Sequence, residues 1–316
     1  MLVALSFPAG PAHAQFNFVV ETLARYRVIP DTKKCYELIS GVVEAVVANA
    51  PRKIVYEANR AMQDAGCVEQ TTHIVRSGYR DAPVDLLEPT ADAPDWGVAS
   101  TVVRIGTIVS WDVDRNVRYA RISKFTRNTG RDLAVALDFQ NPPKRLILDL
   151  RDNNGGEVIA GANAAVLFAQ KKGVEVAYVE TSDLGRYSMY SQTRGSFAGI
   201  PTVILVNGNT ASTAELFAGA VKQLSPTTTL IAGEKTFGKG TVQTYIPWPS
   251  KENPTVEILV QSGYYLAGPS DARIDLRKGG LRPDKHGQFP GCRRAYPVAE
   301  DFCYQFALRW FGAKMP

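Results

Sequence analysis

The chain is poor in the residues that most hydrolytic and redox chemistries depend on. It has three histidines, His13, His73 and His286, none of them beside a patterned serine or carboxylate. It has no H-E-x-x-H signature and no C-x-x-C pair, which disfavours zinc sites and thioredoxin-like redox chemistry. Nothing in it calls for a metal or a cofactor. No run of eighteen uninterrupted apolar residues occurs, which argues against a stable membrane span. Long basic runs and Arg/aromatic interleaving are also missing, so the net charge of +5 reads as a soluble surface, with no nucleic-acid partner.

The 316 residues are 45% hydrophobic, enough for one large domain plus a smaller appendage. The opening MLVALSFPAGPAHA is apolar and ends in Ala12-His13-Ala14, like the core and cleavage site of a secretory signal. Residues 1–14 are therefore expected to be an export signal, and the compartment periplasmic or secreted in a bacterium. Four cysteines beside such a signal suggest disulfides. The simplest pairing is local, Cys35–Cys67 and Cys292–Cys303, although four cysteines permit three pairings.

Residues 15–67 read as amphipathic helices: Phe16, Val19, Val20 and Leu23 recur at helical spacing, as do Leu38, Ile39, Val42, Val43 and Val46. Paired with a second copy, these helices would make a homo-oligomer. Residues 68–97, with Pro83, Pro89 and Pro94, read as a linker without strand pairs. Between 98 and 290 short apolar runs alternate with helical stretches, predicting an α/β core. Arg145–Leu150 and Thr202–Val206 are the clearest buried strands. Residues 291–316 form a tail, whose Phe302, Phe306 and Trp310 predict one helix with an apolar stripe against the core.

Three segments each place small or reactive residues just after a strand, where α/β proteins build sites. In Asp149-Leu-Arg-Asp-Asn-Asn-Gly-Gly156 the paired glycines let backbone N–H groups face a ligand. In Val206-Asn-Gly-Asn-Thr-Ala-Ser-Thr-Ala-Glu215, Ser212 opens a helix; alone, Ser212 and Glu215 would be read as a capping box. Gly233-Glu-Lys-Thr-Phe-Gly-Lys-Gly240 nearly matches a phosphate loop, but Gly240 stands where a magnesium-binding Ser or Thr belongs, and a strand follows. What remains there is Lys239 between two glycines.

Taken together and in order, these segments resemble the C-terminal processing, or tail-specific, serine peptidases. That family carries D-L-R-x-N-x-G-G, a serine-rich segment ending in Glu, and G-E-x-T-F-G-K-G-x-V-Q; this chain has DLRDNNGG, VNGNTASTAE and GEKTFGKGTVQ. Arg118–Phe125 and Gly280-Leu-Arg-Pro-Asp284 extend the resemblance over roughly residues 100 to 285. The resemblance implies a crotonase- or ClpP-like core with Ser212 as nucleophile, Lys239 as general base and Gln243 steadying the lysine. It also implies an oxyanion hole from the N–H groups of Thr213 and of Gly155 or Gly156. A lysine base must be neutral, so its pKa has to fall from about 10.4 by burial; Ile231 and Phe237 are the apolar neighbours expected to supply it. Asp149 and Arg151 read as structural. The family usually inserts a PDZ domain between helices and core, and here that interval is about thirty residues, too short for one. The resulting expectation is a serine endopeptidase acting on exported or poorly folded polypeptides. Its rivals are a catalytically silent peptide- or ligand-binding relative and a crotonase-like acyl-thioester enzyme.

Overall fold

The computed structural model describes residues 11–25, 33–48, 50, 52–68, 73–76, 102–182, 184–247, 256–295 and 298–312. The chain divides into two compact units: residues 1–90, 181–183 and 242–263 form the smaller, and the remainder the larger.

The smaller unit is built on three amphipathic helices, α1 (Pro11–Arg25), α2 (Lys33–Val47) and α3 (Arg52–Asp64). Val19 and Leu23 of α1, Ile39, Val42 and Val46 of α2, and Met62 of α3 meet in one buried cluster, the face their spacing predicts. Cys35 and Cys67 form a disulfide within it, with Cα atoms 5.2 Å apart. Pro11–Ala14 belong to α1, whereas the rest of the expected export signal lies outside the described residues. Inside the stretch read as linker, His73–Arg76 form a strand, β1. The Asn59 side chain fixes it by bonding both the N–H and the carbonyl of Ile74, at 2.7 and 2.8 Å. Most of the remaining 68–97 interval lies outside the described residues.

The larger unit contains β2 (Val103–Ile105), β3 (Ile108–Asp112), β4 (Val117–Ile122), α4 (Thr129–Ala136), β5 (Arg145–Asp149), α5 (Val158–Val166), β6 (Glu175–Thr181), β7 (Gly185–Tyr190), β8 (Thr202–Val206), α6 (Thr213–Leu224) and β9 (Thr229–Gly233). After β10 (Thr241–Pro247) and β11 (Val256–Ala267) the chain ends in α7 (Phe302–Trp310). β2 and β3 form a hairpin, because Gly106 turns the chain between them with φ 56°. The central sheet has the order β2-β3-β4-β5-β8-β9; β2, β3 and β4 are antiparallel, and β4, β5, β8 and β9 run parallel.

Every residue of β8 and β9 is buried, as a strand covered on both faces requires. One face, with Ile147, Val203, Leu205 and Ala232, packs against Cys303, Tyr304, Ala307 and Leu308 of α7. The tail is thus part of the core, but of its aromatic stripe only Phe306 packs against that cluster, while Phe302 and Trp310 are 43% and 50% exposed. The inward face of α7 is fixed by the disulfide from Cys303 to Cys292 and by Asp301, whose carboxylate lies 2.7 Å from the Arg151 guanidinium.

Register places the reactive loops together. Asp149 pairs with Leu205, and Val206 with Gly233, so the segments that follow β5, β8 and β9 leave from one sheet edge.

Candidate active site

The loop after β5 is anchored by charge that water does not reach. Arg151 and Asp149, both fully buried, form an ion pair with a shortest N···O distance of 2.5 Å. Tyr119 donates to the same carboxylate at 2.8 Å. Burial works to raise the Asp149 pKa, but Arg151 beside it outweighs that and holds the carboxyl below its ordinary value. These residues tie the loop to the sheet and to the segment before α7.

Asn153, fully buried, then sets the glycines. Its side chain donates to the Ile122 carbonyl at 2.7 Å and accepts the Gly155 N–H at 2.8 Å, and its own carbonyl accepts the Ala211 N–H at 2.9 Å. The Gly155 N–H is therefore engaged by Asn153, which leaves Gly156 as the candidate oxyanion donor of the two glycines. Gly155 is nonetheless indispensable: a β-carbon there would stand 2.7 Å from Ser212 Cβ and 2.8 Å from Thr213 N. Gly156 has φ 139°, and the Thr213 hydroxyl donates to its carbonyl at 2.8 Å. Among the described residues the backbone N–H groups of Gly156 and Thr213 have no acceptor.

Ser212 stands between β8 and α6. Its backbone, φ 58° and ψ −126°, is a conformation L-residues rarely adopt, costing about 1–3 kcal/mol, and it is kept by surrounding bonds. Glu215, expected as a helix cap, does more. One carboxylate oxygen, Oε2, accepts the Ser212 N–H and the Lys239 N–H, both at 2.9 Å. The other, Oε1, accepts the Gly238 N–H at 2.7 Å and the Thr236 hydroxyl at 2.5 Å. The backbones of serine and lysine thus lie within two hydrogen-bond lengths of one another through a single buried carboxylate. Burial raises the Glu215 pKa, opposed by these four donors.

Lys239 is partly buried, and desolvation pushes its pKa from 10.5 down to about 8. Ile231 is buried as expected, whereas Phe237 is 68% exposed. Tyr265, which sequence reasoning missed, is buried with its hydroxyl on the Lys239 carbonyl. Gln243 lies on β10, in the part of the chain that belongs to the smaller unit. Among the described residues no group of three His, Cys, Asp or Glu could hold a metal ion, and no helix is long and apolar enough to cross a membrane.

Residues 116–284 match peptidase family S41. The carboxy-terminal processing protease CtpA of Bacillus subtilis is 30% identical over 198 residues, covering 62% of this chain and 40% of that protein. The chloroplastic C-terminal processing peptidase of Tetradesmus obliquus is 33% identical over 171 residues, 52% of this chain and 34% of that one. The chain thus spans well under half the length of these relatives in the matched region. The solved photosystem II D1 C-terminal processing protease superposes with a TM-score of 0.57 at 20% identity, covering 93% of this chain and 97% of that one, which shows a shared fold. The mixed α/β core is accordingly of the crotonase/ClpP-like kind, and the chain belongs to peptidase family S41.

Proposed function

We propose that this chain is a serine endopeptidase that cleaves polypeptides through an acyl-enzyme formed on Ser212, with Lys239 as general base. The observation that carries the reading is the Glu215 carboxylate, which holds the Ser212 and Lys239 backbones to one oxygen. Support comes also from the lowered pKa of the lysine, since only the neutral amine can take the serine proton.

Ser212 Oγ attacks the peptide carbonyl carbon and its proton passes to Lys239 Nζ. The carbonyl oxygen, now negative, is stabilised by the N–H groups of Gly156 and Thr213. The C–N bond breaks, and the departing amine takes the proton from the lysine. Water, deprotonated by Lys239, then attacks the ester; the acid leaves and Ser212 recovers its proton. Gln243 is assigned to steady the lysine on the sequence resemblance alone. Membership of family S41 favours this chemistry over an acyl-thioester reaction.

The substrates we assign are extended or poorly folded polypeptides outside the cytoplasm, a compartment with which two disulfides are consistent. Self-association is assigned to the N-terminal helices, where Ile54 and Tyr56 of α3 are exposed. Hydrolysis of an internally quenched peptide tests the central reading. Ser212→Ala should fall below a thousandth of the parent rate, and Lys239→Arg should be nearly as inactive, because arginine keeps its proton. A tenth of the activity surviving in the arginine variant would remove Lys239 as the base.

A further inference from the structure

The two N–H groups assigned to the oxyanion come from different loops, Gly156 after β5 and Thr213 after β8, so the hole exists only while those loops keep their spacing. One side chain grips both. Asp152 has a left-handed backbone, φ 60°, which aspartate tolerates better than most residues, and its N–H donates to Asn207 Oδ1 at 3.0 Å. Its carboxylate oxygen Oδ1 accepts the side-chain amides of Asn207 and Asn209 at 2.8 and 3.0 Å. The other oxygen, Oδ2, accepts Arg294 through both Nε and Nη2, each at 2.9 Å. Burial works to raise the Asp152 pKa, but the two amides and the Arg294 guanidinium outweigh it and hold the carboxyl below its ordinary value. Arg294 itself is delivered by a pinned segment. The Phe289 N–H donates to the Gly233 carbonyl at 2.9 Å, and the Gly291 N–H donates to the Glu234 carboxylate. Cys292 is bonded to Cys303 of α7, and the buried Arg151 donates to the Arg293 carbonyl at 3.1 Å. Residues 288–294 thus form a strap that touches the loops after β5 and β9 directly and the loop after β8 through Asp152.

We propose that Arg294 is a positioning residue for the peptidase reaction: it fixes the Asp152 carboxylate and, through it, the spacing of the two loops that supply the oxyanion donors. The inference rests on the Ser212–Lys239 reading. Other bonds join the same loops, from the Thr210 hydroxyl to the Leu150 carbonyl at 2.8 Å and from the Ala211 N–H to the Asn153 carbonyl at 2.9 Å. Losing Arg294 therefore loosens the hole without abolishing it, and costs less than the roughly hundredfold or more that follows removal of one oxyanion donor. The loss falls on kcat, because the negative oxygen exists only as the transition state is approached. Both guanidinium contacts end on a single oxygen, so here one ammonium nitrogen can stand in for them, as it could not at a forked carboxylate site.

The test is Arg294→Ala and Arg294→Lys in the full chain, read as kcat and KM on a quenched peptide. In each variant kcat is divided by the fraction of Ser212 that a serine-directed phosphonate titrates. Arg294→Ala should lower kcat per titrated site roughly five- to thirtyfold, with KM within about twofold of the parent. Arg294→Lys should recover most of that loss. A strap that only held the fold together would lower the titratable fraction and the melting temperature, and leave kcat per titrated site within about twofold. That result would overturn the proposal, as would a lysine variant no faster than the alanine one. If Arg294→Ala yields no folded protein, Asp152→Asn takes its place, since its amide oxygen still accepts from Asn207 and Asn209 while its NH2 group faces the guanidinium. The same loss of kcat per titrated site is then expected, and an unchanged value would refute the role. Modification of Ser212 in the parent chain reports on the dyad itself, so failure of the arginine proposal is distinguishable from failure of the reading beneath it.

Discussion

With Lys239 as the proposed base, raising the pH from 7 to 9 should raise kcat/KM about tenfold, because burial has brought the lysine pKa down to about 8. Its neutral fraction is roughly a tenth at pH 7 and roughly nine-tenths at pH 9. Only that fraction can accept the Ser212 proton, so the rate should climb along a single limb centred near pH 8 and level off above it. The same shift acts on stability. The lysine has a lower pKa folded than unfolded, so between about pH 8 and 10.5 the unfolded chain binds more protons. Stability owed to this residue therefore rises with pH across that window, and below it the fold carries the whole cost of a desolvated ammonium. That cost is about 3 kcal/mol at most, less what partial exposure screens. Lys239→Met should consequently be inactive yet no less stable at pH 7, an advantage that shrinks towards pH 10.5. Initial rates on a quenched peptide from pH 6 to 10, with urea unfolding of both chains at pH 7 and 10.5, measure each limb. A profile centred near pH 6.5, the ordinary range of histidine, would refute the assignment of the base, as would a flat one.

Glu215→Gln offers one acceptor oxygen where the carboxylate offers two, leaving at least one of its buried backbone donors unpaired. It should cost about 2 kcal/mol in urea unfolding and lower kcat at least about tenfold. Gly156→Ala would set a β-carbon 2.0 Å from the Phe125 carbonyl oxygen, so soluble, active protein is not expected. Gly173→Ala, with open space around it but φ 78°, should lose only about 1–2 kcal/mol on thermal melting. Free-thiol titration of unfolded, unreduced chain exported to the periplasm should find close to none. Replacing Cys292 and Cys303 together by serine should cost about 3 kcal/mol for a loop of this length.

Much of the site was legible because its three segments each follow a short apolar run that could only be a buried strand, as Thr202–Val206 is. Glu215 was visible only in its local role, since the capping pattern needs three residues while its bonds to Gly238 and Lys239 cross more than twenty. Tyr265 gave no signal at all. It lies 26 residues beyond Lys239 on a strand the apolar pattern did not mark, and its value comes from contacts that only the folded chain makes. The β1 strand was hidden for a similar reason: four residues amid turn formers are held by Asn59 and by a partner strand, β11, far along the chain. The aromatic stripe of α7 was read correctly only at Phe306, and Phe302 and Trp310 turn outward, because spacing cannot say which side of a helix faces inward. Asp301 and Cys303 decide that, through Arg151 and Cys292. The engagement of the Gly155 N–H by Asn153 was likewise beyond a reading that saw only paired glycines.

The most direct test is to react the protein with a serine-directed phosphonate and map the modified peptide by mass spectrometry at pH 8.5. The account predicts a single adduct on Ser212, formed in step with loss of peptidase activity and abolished in Ser212→Ala. It also predicts a strong slowing in Lys239→Arg, a variant whose fold should survive. An adduct on another residue, or an unmodified Ser212 in protein that still cleaves peptides, would contradict it.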